Sequence, residues 1–269
     1  MEMPPLRVCL IYDGRYGYPN GSCMKAEEVI AYLESNKNEL NREGMSRFGI
    51  TVDHAFGISM VELRTLARTI GKDHQLALDL WETGFHESRI LSTIIDIPSK
   101  VTEEQMDHWV REFDSWDVCD QCCSNLFSRT PFAVKKAEEW VMRDEEYVRR
   151  AGFVMMAALA VHDKKAEDGL FLDFLRMIDS DAADDDRPFA RKAVNWALRQ
   201  IGKRNVNLQE AAIRTAESVR SRGTKSARWI AADALRELQS EKTSAMVKKR
   251  KVRGPSYDPF VLDGKTDLR

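Results

Sequence analysis

Long apolar runs are missing from this 269-residue chain: charge interrupts every hydrophobic stretch within about a dozen positions, short of the roughly 20 residues a membrane-crossing helix needs. No membrane role is expected. Alternating β-type runs are almost absent as well, which argues against sheet-based folds. Cysteine is scarce. The chain has five, and three of them crowd at positions 119, 122 and 123, unlike the spread framework of a secreted disulfide protein. With no basic-then-apolar leader at the start, reduced thiols and a cytoplasmic setting are expected, nucleoid-associated in a bacterium or nuclear in a eukaryote. The five histidines (54, 74, 86, 108 and 162) have no spacing that completes a tetrahedral metal set with Cys119 and Cys122, so no metal is expected. A redox CxxC wants a strand-to-helix junction that this pattern lacks. Small buried thiols packing a helix seam are the better reading.

What is present is helical periodicity. Apolar residues recur at spacings of three and four in KAEEVIAYLES, SMVELRTLARTI, HQLALDLWETG, EEQMDHWVREF, EEYVRRAGFVMMAALAVH, FARKAVNWALRQIGK, NLQEAAIRTAESVR and KSARWIAADALREL. Start and stop signals separate the segments at Thr102, Pro131, Gly169, Pro188, Asn205 and Gly223. Nine or more helices are expected. They also resemble one another: VRRAGFVMMAAL at 148–159 aligns with ARKAVNWALRQI at 190–201, and ALRQI at 197–201 recurs as ALREL at 234–238. A repeat of about 40 residues built on a helix pair predicts an all-α, HEAT-like α-solenoid with a concave binding face. That domain is placed at 23–240. A turn-rich extension covers 1–22, and a basic flexible tail covers 241–269.

Charge is uneven. Residues 187–269 carry 20 Lys+Arg against 8 Asp+Glu, so 1–186 carry 21 against 35. The basic part points to a polyanionic partner, unless its charges are merely solvated. KKRK at 248–251 reads as an arm for nucleic-acid backbone or a solubilising run in preference to an import signal.

The stretch FDSWDVCDQCC at 113–123 places Trp116 and Asp120 on one face if 109–124 is a helix. By default such a tryptophan is core and such an aspartate solvated. Their company changes that. HESRILSTIIDIP, FDSWDVCDQCCSNLF, EYVRRAGFVMMAALAVHDKK and RKAVNWALRQIGKRN, in this order on a helical repeat background, resemble the AlkD-type DNA alkylation repair family over about residues 25–240. The resemblance implies a solenoid that grips duplex DNA as a monomer. It implies hydrolysis of the N-glycosidic bond of N3- and N7-alkylated purines without metal or cofactor. It maps the catalytic acid to Asp120 in W-D-x-x-D, with Trp116 and Trp196 flanking the lesion. The DNA-contacting arginine maps to Arg150 in an R-A motif, and K-A-x-x-W is matched by Lys192, Ala193 and Trp196. Arg191, Arg199 and Lys203 are further candidates for phosphate contact. Ser115 departs from the pattern, because family members often carry a second tryptophan there. Related clades resemble binders of branched DNA without excision, and solenoids also serve as protein scaffolds. A basic face with Asp120 as its lone acid favours DNA; an acidic one favours a protein partner.

Overall fold

The three-and-four periodicity becomes fourteen α-helices among residues 24–182 and 185–251, which are those the computed structural model describes. They are α1 (Ala26–Ser35), α2 (Glu39–Ser46), α3 (Met60–Ile70), α4 (His74–Glu82), α5 (His86–Ile95), α6 (Glu103–Arg111) and α7 (Trp116–Asn125). There follow α8 (Ala133–Val141), α9 (Glu146–His162), α10 (Asp168–Met177), α11 (Pro188–Gly202), α12 (Val206–Ser221), α13 (Lys225–Leu238) and α14 (Glu241–Val247). Polar side chains start many of them. Thr102, Asn205, Thr224 and Ser240 each accept a backbone N–H three residues on, and Pro188 opens α11 with its φ already helical. Gly169 lies inside the first turn of α10 rather than at a break.

The helices form two columns. From α4 onward each pair contributes a first member (α4, α6, α8, α10, α12) and a second (α5, α7, α9, α11, α13), and each second member packs directly on the next. Side-chain size explains the curvature. The first column is joined by large rings: Trp81 stacks on Trp109 at 3.9 Å, Trp109 meets Phe127, and Phe127 meets Trp140. The second column is joined by small residues such as Ala151, Ala157, Ala193, Ala197, Ala227 and Ala231, all buried. Helix axes separate more over large residues than over small ones, so the array bends with the second column inside. At Gly152 a Cβ would lie 2.7 Å from the Val141 backbone nitrogen, so α8 and α9 approach as closely as glycine permits. The aligned segments of the repeat all fall on second-column helices, α9, α11 and α13.

The N-terminal end is tied on by Glu87. Its fully buried carboxylate accepts from the backbone nitrogens of Phe56, Gly57 and Ile58 at 2.6 to 3.1 Å. Three charge-assisted bonds leave neither oxygen without a donor, which is what a buried carboxylate requires. The expected extension at 1–22 lies outside the described residues. The stretch expected as a tail from 241 begins instead as α14, which packs on α12 and α13 through buried Thr243 and Val247; residues 252–269 lie outside the described part.

Candidate active site

The stretch 109–124, considered as one helix, is two: α6 ends at Arg111, and the chain, extended at Ser115, restarts at Trp116 with Ser115 as its N-cap. Glu112 fixes the break: its carboxylate accepts from Trp81 Nε1 at 2.6 Å and its carbonyl accepts from Arg89 at 3.0 Å. Ser115, where family members often carry a second tryptophan, is fully buried. Trp116 and Asp120 thus sit one turn apart at the start of α7.

Asp120 is held by Arg150 of α9. Nε donates to Oδ1 at 3.0 Å and Nη2 to Oδ2 at 2.8 Å, a two-point grip, while Nη1 donates to the Phe189 carbonyl of α11 at 2.7 Å. One guanidinium therefore joins three inner-column helices. The side chains are 6% exposed for Arg150 and 17% for Asp120, so solvent reaches the pair mainly on the carboxylate side. Burial pushes the Asp120 carboxyl above its ordinary value, and the Arg150 charge pulls part of that shift back. Of the five N–H directions of Arg150, three are committed.

Around this pair stand groups that sequence spacing did not single out. His86 Nε2 lies 3.0 Å from Asp117 Oδ2. Burial works against a charged His86, but the hydrogen bond and charge of Asp117, with Glu87 and Asp114 behind, hold its pKa above the ordinary value. Trp116 Nε1 donates to the Phe48 carbonyl at 3.0 Å, which fixes the indole from the N-terminal segment. Tyr147 and Phe189, at the starts of α9 and α11, stack at 5.5 Å. Their signal in the sequence was only an aromatic two or three residues before an arginine, in EYVRR and FARK, too common to notice. Asp120 is accordingly not the lone acid expected of a DNA face: Asp117 bears on it electrostatically, and Asp114 and Glu146 bear on Tyr147.

The α11 candidates divide. Lys192 is exposed, its ammonium 5.6 Å from the Phe189 ring. Trp196, one turn on, is half-buried; with the Gln200 amide oxygen turned toward it, its indole N–H donates at 3.0 Å. Arg191 turns to α13, over the Trp229 ring at 5.0 Å. Arg199 and Lys203 both pair with Glu237, at 2.6 and 2.8 Å, and bind α11 to α13. Cys119, Cys122 and Cys123 are fully buried, Cys119 against the Tyr147 carbonyl of α9 and Cys123 against that of Ala151. Burial pushes the Cys122 and Cys123 thiols well up, so they are inert packing groups.

Comparison with known proteins bears on the family and the fold. A solved structure is similar at TM-score 0.70 and 19% identity, covering 87% of this chain and 100% of that one. It is described as "a new family of proteins related to the HEAT-like repeat DNA glycosylases with affinity for branched DNA structures". No curated protein matches the chain. The sequence profile of the DNA alkylation repair enzymes matches residues 29–238, all five two-column pairs included, and the chain belongs to that family.

Proposed function

We propose that the protein is a DNA glycosylase that hydrolyses the N-glycosidic bond of N3- or N7-alkylated purines in duplex DNA. The observation that carries this reading is the Asp120–Arg150 pair, buried on its guanidinium side and partly exposed on its carboxylate side, one turn from Trp116 on the inner column. An alkylated purine is already cationic, so it leaves without a general acid. The strain falls on the sugar, which becomes oxocarbenium-like and needs an anion beside C1′. Arg150 keeps Asp120 charged against the cost of burial and fixes its direction. Each Asp120 oxygen retains acceptor capacity for the attacking water or the developing charge. Trp116 and Trp196 offer π faces to the cationic sugar and base, each contact contributing about 0.5 to 2 kcal/mol. Lys192 takes a backbone phosphate. The two uncommitted N–H directions of Arg150 reach another only if the DNA approaches along the carboxylate.

The test is release of base from duplex DNA carrying N7-methylguanine by the wild type and by Asp120→Asn. Loss of about 100-fold or more in the variant is expected, the scale of removing one charge-stabilising group. Equal release by both sinks the assignment. A second reading, a binder of branched or damaged DNA without excision, is favoured by one observation: both Asp120 oxygens already accept from Arg150. Salt-steep binding with no release by the wild type would select it.

A further inference from the structure

The far ends of the inner helices carry a second concentration of positive charge that the proposed reaction does not use. A cavity of about 340 Å³ is lined by Lys164, Asp168, Arg204, Asn205, Arg250 and Lys251. A second, of about 550 Å³, adjoins it across the end of α9 and includes Arg129 and His162. The cations of the two cavities act on one another. Lys164 is held below its ordinary pKa by burial and then by Arg250 and Arg204; His162 by burial and then by Arg129 and Lys164. Lys72, further along the same edge, is lowered by burial and then by Arg129. Arg129 thus bears on both Lys72 and His162, and Arg250 of the KKRK segment bears on Lys164.

Cations at helix C-termini commonly offset exposed carbonyls. Here Arg204 already does that: it donates to the carbonyls of Ala160, Asp163 and Ala166 and lies 3.8 Å from the Phe171 ring. Asp168 is taken up by the Asn205 amide at 2.9 and 3.1 Å. Arg250 is anchored through the Lys203 carbonyl at 2.6 Å, which docks the segment in place. Lys164, Arg129 and Lys251 are exposed and, among the described residues, make no ion pair. Crowded cations that lower one another's pKa are stabilised by an anion placed among them.

From this we infer that the edge formed by Arg129, Lys164, Arg250 and Lys251 is a second nucleic-acid site, taking the phosphodiester backbone of a strand other than the one at Asp120. Arg150 and Lys164 are 14 residues apart along α9 and its end, about 20 Å. A duplex that crosses α9 at Arg150, rather than running along it, leaves this edge to a second arm, and the edge then favours forks and junctions over a single duplex. The inference rests on the reading of the inner face as a DNA surface.

The experiment measures fluorescence anisotropy of the full chain with a lesion-free 12-base-pair duplex and with a four-way junction, across a salt series. The variants are Lys164→Gln/Arg250→Gln/Lys251→Gln and the inner-face variant Lys192→Gln/Trp196→Ala. The edge variant is expected to bind the junction at least about tenfold more weakly, with the salt slope reduced by about 2 to 3, and to bind the short duplex within about twofold of wild type. Lys164→Glu, which removes no hydrogen bond of the fold, shows the same direction if the triple variant folds poorly. Unchanged junction affinity and slope overturn the proposal. Loss in the edge variant with none in the inner-face variant keeps the edge and removes the inner-face reading; failure of the wild type to bind either DNA removes both. Inorganic phosphate that displaces the junction at constant ionic strength assigns the site to free phosphate and also overturns it.

Discussion

Replacing Arg150 with alanine tests whether the guanidinium holds Asp120 as described. The change deletes two bonds to the carboxylate and one to the Phe189 carbonyl, and leaves a mostly buried anion without a partner. Breaking a buried pair from one side costs about 3 to 5 kcal/mol. The open side of Asp120 and its ability to take a proton reduce this to about 2 to 3 kcal/mol at neutral pH. Urea unfolding followed by helical circular dichroism gives the number, and Asp120→Asn with the double variant completes a cycle whose coupling is expected at about 1.5 to 3 kcal/mol. The variant also enlarges a pH signature. Without Arg150, burial and the Asp117 charge both push the Asp120 carboxyl up, so the folded chain holds a proton there more firmly than the wild type does, while the unfolded chain releases it near about pH 3.9. Arg150→Ala therefore regains stability as pH is lowered from 7 toward 4.5. A loss under about 0.5 kcal/mol with no coupling and no recovery in acid would mean that the pair does not form, and the mechanism built on it would go too.

Two further outcomes are expected. His86→Gln removes the ion pair with Asp117, whose pKa is depressed: burial raises it, but the His86 hydrogen bond and charge win. The pair's stabilisation is present between about pH 4 and 6.5 and fades as pH climbs through the raised His86 value or falls through the lowered Asp117 value. Wild type minus variant, measured by unfolding at pH 6 and pH 8.5, should shrink at the higher pH, and a constant difference contradicts the pairing. Gly152→Ala forces a Cβ to 2.7 Å from the Val141 nitrogen and side chain, costing about 1 to 3 kcal/mol in the same unfolding assay; a neutral result would show that α8 and α9 can separate freely.

The helices and their repeat were legible because periodicity and caps are local. VRRAGFVMMAAL and ARKAVNWALRQI align since both fill the inner column, where small residues recur for packing reasons. The break at 112–115 was not legible, because Trp81 and Arg89 of earlier helices impose it through Glu112. Neither was the Asp120–Arg150 grip, made across 30 residues, nor the diversion of Arg199 and Lys203 to Glu237. A basic sequence count does not say which cations are already paired. KKRK was ambiguous for the same reason, since its docking depends on Lys203 and α14 rather than on its own composition.

Base release from N7-methylguanine duplex by the purified wild-type chain, beside Asp120→Asn of equal stability, bears most directly on the central claim. The account expects release by the wild type and about 100-fold less by the variant, with DNA affinity retained in both. Release that is absent from the wild type, or indifferent to the loss of the Asp120 charge, contradicts it.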